Sequence, residues 1–204
     1  MTHRVIGYVD GFNLYFGLRQ AKLKAGYWLD IPQLLRRYLP RHASLCETRY
    51  FTSRVSTPAD SRHRQTEYIE ALASQPGLSI QYGKFMISPR TCRTCQSTWT
   101  VESEKMTDVN IAVRLLTDAM EDRFDVAMIV SADSDLVPPI EALRKHFPLK
   151  QVIVAFPPCR GSADLTRVAH EKRKISPDVI MQSQLPNTVV GLDGFPRVRP
   201  QEWI

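Results

Sequence analysis

Short strand-like runs alternate with segments of helical spacing along most of this chain, and that alternation limits the fold more than any other feature. Residues 126–130 and 152–156 are apolar throughout, as strands buried on both faces are. Residues 5–9 are short, β-branched and closed by Asp10-Gly11. Residues 47–55 and 78–86 complete the strand candidates. Helical spacing fills the gaps. It covers residues 12–24, with Leu14, Leu18 and Ala21 on one face. It covers 31–39, with Asp30 as cap, Pro32 in the first turn and Pro40 as stop. It returns over 58–74, and then over 107–121, where Val109, Ala112, Val113, Leu116 and Met120 share a register. Residues 136–146 follow, and a helix capped by Ser162 is expected to run to about Lys174. This order predicts an α/β domain whose mostly parallel sheet carries helices on both faces.

Two stretches depart from the pattern. Residues 89–103 are β-rich and contain Cys92-x-x-Cys95, Thr98, Trp99, Thr100 and Val101, which predicts an inserted hairpin. Residues 179–204 are richer in proline and carry Phe195 and Trp203, whose rings predict a tail packed back on the domain of residues 1–178. A length of 204 residues suits one domain with such an extension, large enough to fold without staples. With 43% hydrophobic and 24% charged residues, disorder and collagen-like repeats are excluded. Four cysteines are too few for a disulfide scaffold. The first residues run straight into a strand, and every apolar run is far short of a membrane span. A reducing, cytoplasmic setting is the expectation.

In open α/β sheets, ligands bind outside the carboxyl ends of strands where strand order reverses. Asp10-Gly11-Phe12-Asn13 closes the first strand, and Ser131-Ala132-Asp133-Ser134-Asp135 closes the fourth. If those strands are neighbours, the two loops lie side by side, and Asp108 joins them from the start of the preceding helix. Carboxylates gathered this closely raise one another's pKa unless a cation neutralises them. Hard oxygens without Cys or His favour Mg²⁺ or Mn²⁺ over Zn²⁺. Such a centre activates water and stabilises phosphoryl charge, the chemistry of metal-dependent nucleases. Taken singly, each Asp also has a plainer role as a turn residue or helix cap. Together, D-x-D at one strand end and D-x-x-N at another exceed what capping requires.

Three motifs in order carry a resemblance: Val9-Asp10-Gly11-Phe12-Asn13, then Glu104-Lys105-Met106-Thr107-Asp108-Val109-Asn110, then Val130-Ser131-Ala132-Asp133-Ser134-Asp135 with Pro138. The chain resembles the NYN domain family of PIN-like proteins, which includes the bacterial LabA/DUF88 group. The resemblance implies a PIN-like Rossmannoid fold and a Mg²⁺- or Mn²⁺-dependent endoribonuclease. It implies Asp10, Asp108, Asp133 and Asp135 as metal-holding catalytic residues, with Asn13 orienting Asp10 or a metal-bound water. Ala132 stands where many members have Gly, and Arg114 where some carry an acidic residue. The alternative is a degenerate module of the same fold that binds RNA or a protein without cutting.

RNA is the expected partner, with a homodimer as the assembly, and neither a membrane nor a small-molecule cofactor. The net charge of +6 and pI near 9.3 suit a polyanion partner and equally an ordinary basic protein. Lys105, Arg160, Arg167 and Arg173 are the candidate phosphate contacts, against the plainer reading of a solvated face. Cys92 and Cys95 supply half of a tetrahedral zinc site, without a second pair. Free thiols or a simple turn is the competing reading.

Overall fold

The computed structural model describes residues 2–204, apart from the side chains of residues 87 and 101–103. The first half runs β1 (His3–Asp10), α1 (Gly11–Gln20), α2 (Ile31–Arg36), β2 (Ala43–Thr52), α3 (Ala59–Ala73) and β3 (Leu78–Tyr82). An antiparallel ribbon follows, β4 (Lys84–Thr91) with β5 (Thr98–Lys105). Then come α4 (Thr107–Met120), β6 (Val126–Val130), α5 (Val137–His146), β7 (Gln151–Phe156), α6 (Ala163–Val168), β8 (Glu171–Lys174) and α7 (Pro177–Met181). The tail adds the short antiparallel pair β9 (Thr188–Val190) and β10 (Pro196–Val198).

The central sheet has the order β3-β2-β1-β6-β7-β8, and every pairing in it is parallel. The chain first winds outward from β1 through β2 to β3, then returns to the other side of β1 with β6. Strand order therefore reverses between β1 and β6, the place where an α/β sheet opens a crevice. Period-two alternation splits the core between the faces. Val5, Val9, Met128, Val130, Ile153 and Ala155 pack towards Leu14, Leu34 and Leu72 of α1, α2 and α3. Ile6, Tyr8, Ala127, Ile129, Val152 and Val154 pack towards Ile111, Ile140 and Leu165 of α4, α5 and α6.

Several expected boundaries and faces are corrected. The last predicted helix stops at Val168, and residues 171–174 form β8 instead. Ala169 turns to an extended ψ of 149°, the His170 N–H donates to the Val152 carbonyl, and Glu171–Lys174 pair with β7. A charged edge strand of this kind has no apolar period to betray it, and its charges discourage edge-to-edge pairing. The strand predicted over 78–86 breaks at Gly83, where a Cβ would stand 2.7 Å from the Lys105 carbonyl, the Ser53 hydroxyl and the Thr107 hydroxyl. Helix α4 buries Thr107, Ile111, Leu115, Asp118 and Ala119, while Val109, Val113 and Met120 are exposed. The polar members of the buried face disguised it. The antiparallel ribbon runs from 84 to 105, beyond the predicted 89–103. In the tail, Trp203 packs against Tyr27, Trp28 and Tyr68, but Phe195 stays exposed. Among the described residues, no helix is long and apolar enough to cross a membrane.

Candidate functional site

Asp10 ends β1 at the switch point and is only 4% exposed. One carboxylate oxygen accepts the Asn13 N–H (2.9 Å), capping α1, and the other accepts the Ser131 hydroxyl (3.0 Å) from the end of β6. The Ser131 hydroxyl also accepts the Asp133 N–H at 3.1 Å, so one serine ties both acidic loops together. Asn13 bonds to both loops. Its backbone, not its amide, holds Asp10, and its side-chain oxygen accepts the Ala132 N–H (3.1 Å). It staples the first loop to the fourth-strand loop. Ala132 keeps an ordinary negative φ, so this turn does not require glycine. Asp133 caps a short 3-10 turn, Ser134–Leu136, by accepting the Asp135 N–H at 3.0 Å.

Glu104, at the end of β5, is the site residue that sequence reasoning missed. Its carboxylate accepts hydrogen bonds from the hydroxyls of Ser53 (3.0 Å) and Thr107, and it is half-buried. Thr107 is aimed back by Met106, whose φ of 78° lies in the left-handed region. That conformation costs a non-glycine residue about 1–3 kcal/mol. The signal was present in the quoted motif, a Glu three residues before a Thr at a helix start.

These carboxyls sense one another. Burial pushes Asp10 up to about 7, against the pull of its two hydrogen bonds, with Asp108 and Glu104 adding repulsion. Burial also raises Glu104, with Asp108 contributing, and raises Asp108, with Asp133 and Asp135 contributing. Five carboxylates thus form one electrostatically linked group, with Asp135 at its exposed rim. Among the described residues, none of the five is ion-paired to a Lys, Arg or His.

An unpaired set of hard oxygens, with the Asp10, Glu104 and Asp108 carboxyls shifted upward, is what a Mg²⁺- or Mn²⁺-sized cation would relieve. The residues therefore fit such an ion in chemistry. They are not clenched around one: among the described residues, no three His, Cys, Asp or Glu side chains converge closely enough to hold a metal.

The remaining candidates separate. Lys105 is exposed on the strand that delivers Glu104. Arg160 follows β7 and lies over the Phe16 ring of α1 at 5.8 Å. Arg167 pairs with Asp164 at 3.2 Å and Arg173 with Glu171, so both are already partnered. Cys92 and Cys95 sit in the turn of the β4–β5 ribbon as free thiols. Ser97 and Cys92 hydrogen bonds draw the Cys95 thiol down to about 7. Neither cysteine joins a metal-holding group among the described residues, so the zinc expectation finds no geometry here. Trp99 is half-exposed along β5, paired across the ribbon with Arg90.

Comparison with known proteins adds three findings. The NYN domain model matches residues 4–175. The chain is 28% identical over 239 residues to 6-hydroxy-3-succinoylpyridine 3-monooxygenase HspA of Pseudomonas putida, covering 96% of this chain and 74% of that protein. A solved structure from Vibrio parahaemolyticus, of a protein of unknown function, superposes with a TM-score of 0.57 at 19% identity. That match covers 86% of this chain and 94% of the other, and it supports the fold alone.

Proposed function

The chain belongs to the NYN domain family, and on that premise we propose that it is a metal-dependent endoribonuclease acting at the β1–β6 crevice. The observation that carries this reading is the group of five carboxylates at the switch point with no basic partner among the described residues. Asp10, Glu104, Asp108 and Asp133 would hold the ion, with Asp135 at the rim. A bound Mg²⁺ or Mn²⁺ would supply a more acidic water and neutralise phosphoryl charge. Ser131 and the Asn13 N–H fix the Asp10 carboxylate, and the Asn13 amide fixes the spacing of the two loops. Lys105, next in sequence to Glu104, and Arg160, after the end of β7, would draw a phosphate chain across the crevice. Hydrolysis then adds water at phosphorus and breaks the opposite P–O bond. The attacking water's proton passes to solvent and the leaving oxygen takes one up from it, so no carboxylate that would hold the ion need act as the base.

The direct test incubates a pool of structured and unstructured RNA with Mg²⁺, Mn²⁺ or EDTA. Cleavage is expected with either metal and not with EDTA, and Asp10→Asn or Asp133→Asn should abolish it in a folded protein. Binding without metal-dependent cutting would instead mark the degenerate module. A second reading comes from the monooxygenase relative. It is favoured by an aromatic-lined cavity that opens beside Gly11 and would suit a heteroaromatic ring. Turnover that consumes O₂ and a reductant would select it, since hydrolysis uses neither.

A further inference from the structure

A cavity of about 550 Å³ lies on the α1–α3 face and meets the acidic crevice at Gly11 and Thr52. Small-ligand sites span roughly 300–1,000 Å³. One wall is a continuous run of aromatic rings. Tyr15 meets Tyr27 at 5.1 Å between centroids, Tyr27 meets Trp203 at 5.6 Å, Trp203 meets Tyr68 at 6.3 Å, and Tyr68 meets Tyr50 at 6.4 Å. The run begins in solvent, with Tyr15 39% exposed, and ends against Gly11. There, a Cβ on Gly11 would stand 2.6 Å from the Tyr50 hydroxyl. That hydroxyl also senses Asp10 and Glu104, so the inner end of the cavity adjoins the carboxylates.

The mouth is cationic. Arg19 and Lys24 line it and are exposed. Arg64 is committed to Glu202 at 3.1 Å, whereas among the described residues Arg19 and Lys24 form no ion pair. The rings come from α1, the 3-10 turn Lys24–Tyr27, the tail, α3 and β2. A core built only for stability would close such a gap, because unfilled apolar space forfeits contacts. A hollow walled by rings, with three cations, Arg19, Lys24 and Arg64, against the single carboxylate of Glu202, is complementary to a planar ring that carries an anion. Rings offer stacking faces, and guanidinium and ammonium groups offer partners to phosphate.

We propose that this cavity receives the base of one unpaired nucleotide of the substrate, with its phosphate held by Arg19 and Lys24. The proposal rests on the ribonuclease reading for the identity of the ligand. It implies a preference for unpaired RNA, because a paired base cannot leave its stack to enter without cost.

Calorimetry on Asp133→Asn in EDTA tests this without metal or cleavage. The probes are UMP, AMP, ribose 5-phosphate and 4-hydroxybenzoate. UMP and AMP are expected to bind and to quench tryptophan emission through Trp203. Ribose 5-phosphate should bind roughly five- to hundred-fold more weakly, the affinity of one stacked base. Tyr15→Ala, at a partly exposed position, should cost a similar factor, and Arg19→Glu with Lys24→Glu should weaken both nucleotides. Equal affinity for UMP and ribose 5-phosphate, or no binding of either nucleotide, overturns the proposal. Binding of 4-hydroxybenzoate alone also overturns it and assigns the cavity to a free aromatic acid. Nucleotide binding by a wild type that never cuts RNA removes the ribonuclease reading but supports the cavity's ligand. Cutting without nucleotide binding does the reverse.

Discussion

Asp118 and Asp10 are both buried carboxylates, 0% and 4% exposed, and the same elements build their surroundings. β1 gives Tyr8 to one centre and Asp10 to the other. β2 gives Arg49 to one, and Ser53, just past its end, serves the other. α4 carries Asp118 near its end and Asp108 in its first turn, ten residues apart and so about 15 Å along the axis. The electrostatics are opposite. Asp118 accepts two hydrogen bonds from Arg49 (2.7 and 3.0 Å) and one from the Tyr8 hydroxyl (2.8 Å), with Arg114 and Arg123 at 3.3 and 3.7 Å. The Asp10 centre gathers five acids and no base among the described residues. A charge buried for architecture is neutralised by the chain itself. A charge left for something else to neutralise marks a site that expects a ligand.

The largest effect should come from breaking the self-neutralised centre. Asp118→Ala leaves the Arg49 guanidinium, which is 8% exposed, with the partly exposed Glu47 (2.9 Å) as its remaining carboxylate and two further arginines beside it. Removing one partner of a buried pair costs about 3–5 kcal/mol, so urea denaturation should show a loss of that order. A loss under about 1 kcal/mol would erase the distinction between the two centres.

Next comes the pH dependence of the metal-free protein. The Asp10 carboxyl titrates near 7 when folded, against an ordinary value of 3.8. The folded state therefore holds this proton more tightly than the unfolded chain does. The associated stability is fully present below about pH 4 and is lost as pH rises through 7. A difference of this size corresponds to at most about 4 kcal/mol, with Glu104 and Asp108 adding in the same direction. Melting in EDTA between pH 4.5 and 8 should show the decline, and Asp10→Asn should flatten it. A decline of equal steepness in Asp10→Asn would move its cause elsewhere.

How much of this contrast could be read from the chain alone depends on whether a residue's partners are local. The sheet was readable because residues 126–130 and 152–156 are apolar throughout, as strands covered on both faces must be. Asp10, Asp133 and Asp135 were readable because each sits in a short motif at a strand end. Glu104 was passed over because one of its two partners, Ser53, lies 51 positions away, and the local one, Thr107, reads by itself as an ordinary helix start. The Asp118 centre was invisible for the same reason, and Arg114, read against the metal site, turns out to face Asp118. β8 was mistaken for helix because an edge strand of four charged residues shows no apolar period. The aromatic cavity draws on five segments, and no spacing within any one of them announces it.

A smaller effect tests the acidic centre from the ligand side. Mn²⁺ or Mg²⁺ at a hundred times its dissociation constant should stabilise the wild type by about 2.7 kcal/mol, a shift of several degrees in melting temperature. The double change Asp133→Asn with Asp135→Asn should lose the shift, whereas Asp118→Ala, though less stable, should keep it. If both variants lose it equally, the two centres are not separate.

The smallest effect belongs to Arg114, which lies between the centres along α4. Its guanidinium stands 3.3 Å from Asp118 and is 32% exposed, and Arg49 already satisfies that carboxylate with two shorter bonds. Partly exposed ion pairs contribute about 0–1 kcal/mol. Arg114→Ala should therefore cost no more than that in urea. It should leave the metal-induced shift and the pH profile in EDTA unchanged, because no Asp10-centre carboxylate loses a partner. An enlarged metal response in this variant would show that Arg114 had been tempering the acidic crevice across the helix. The division between the two centres would then have to be redrawn around Arg114 rather than between Asp108 and Asp118.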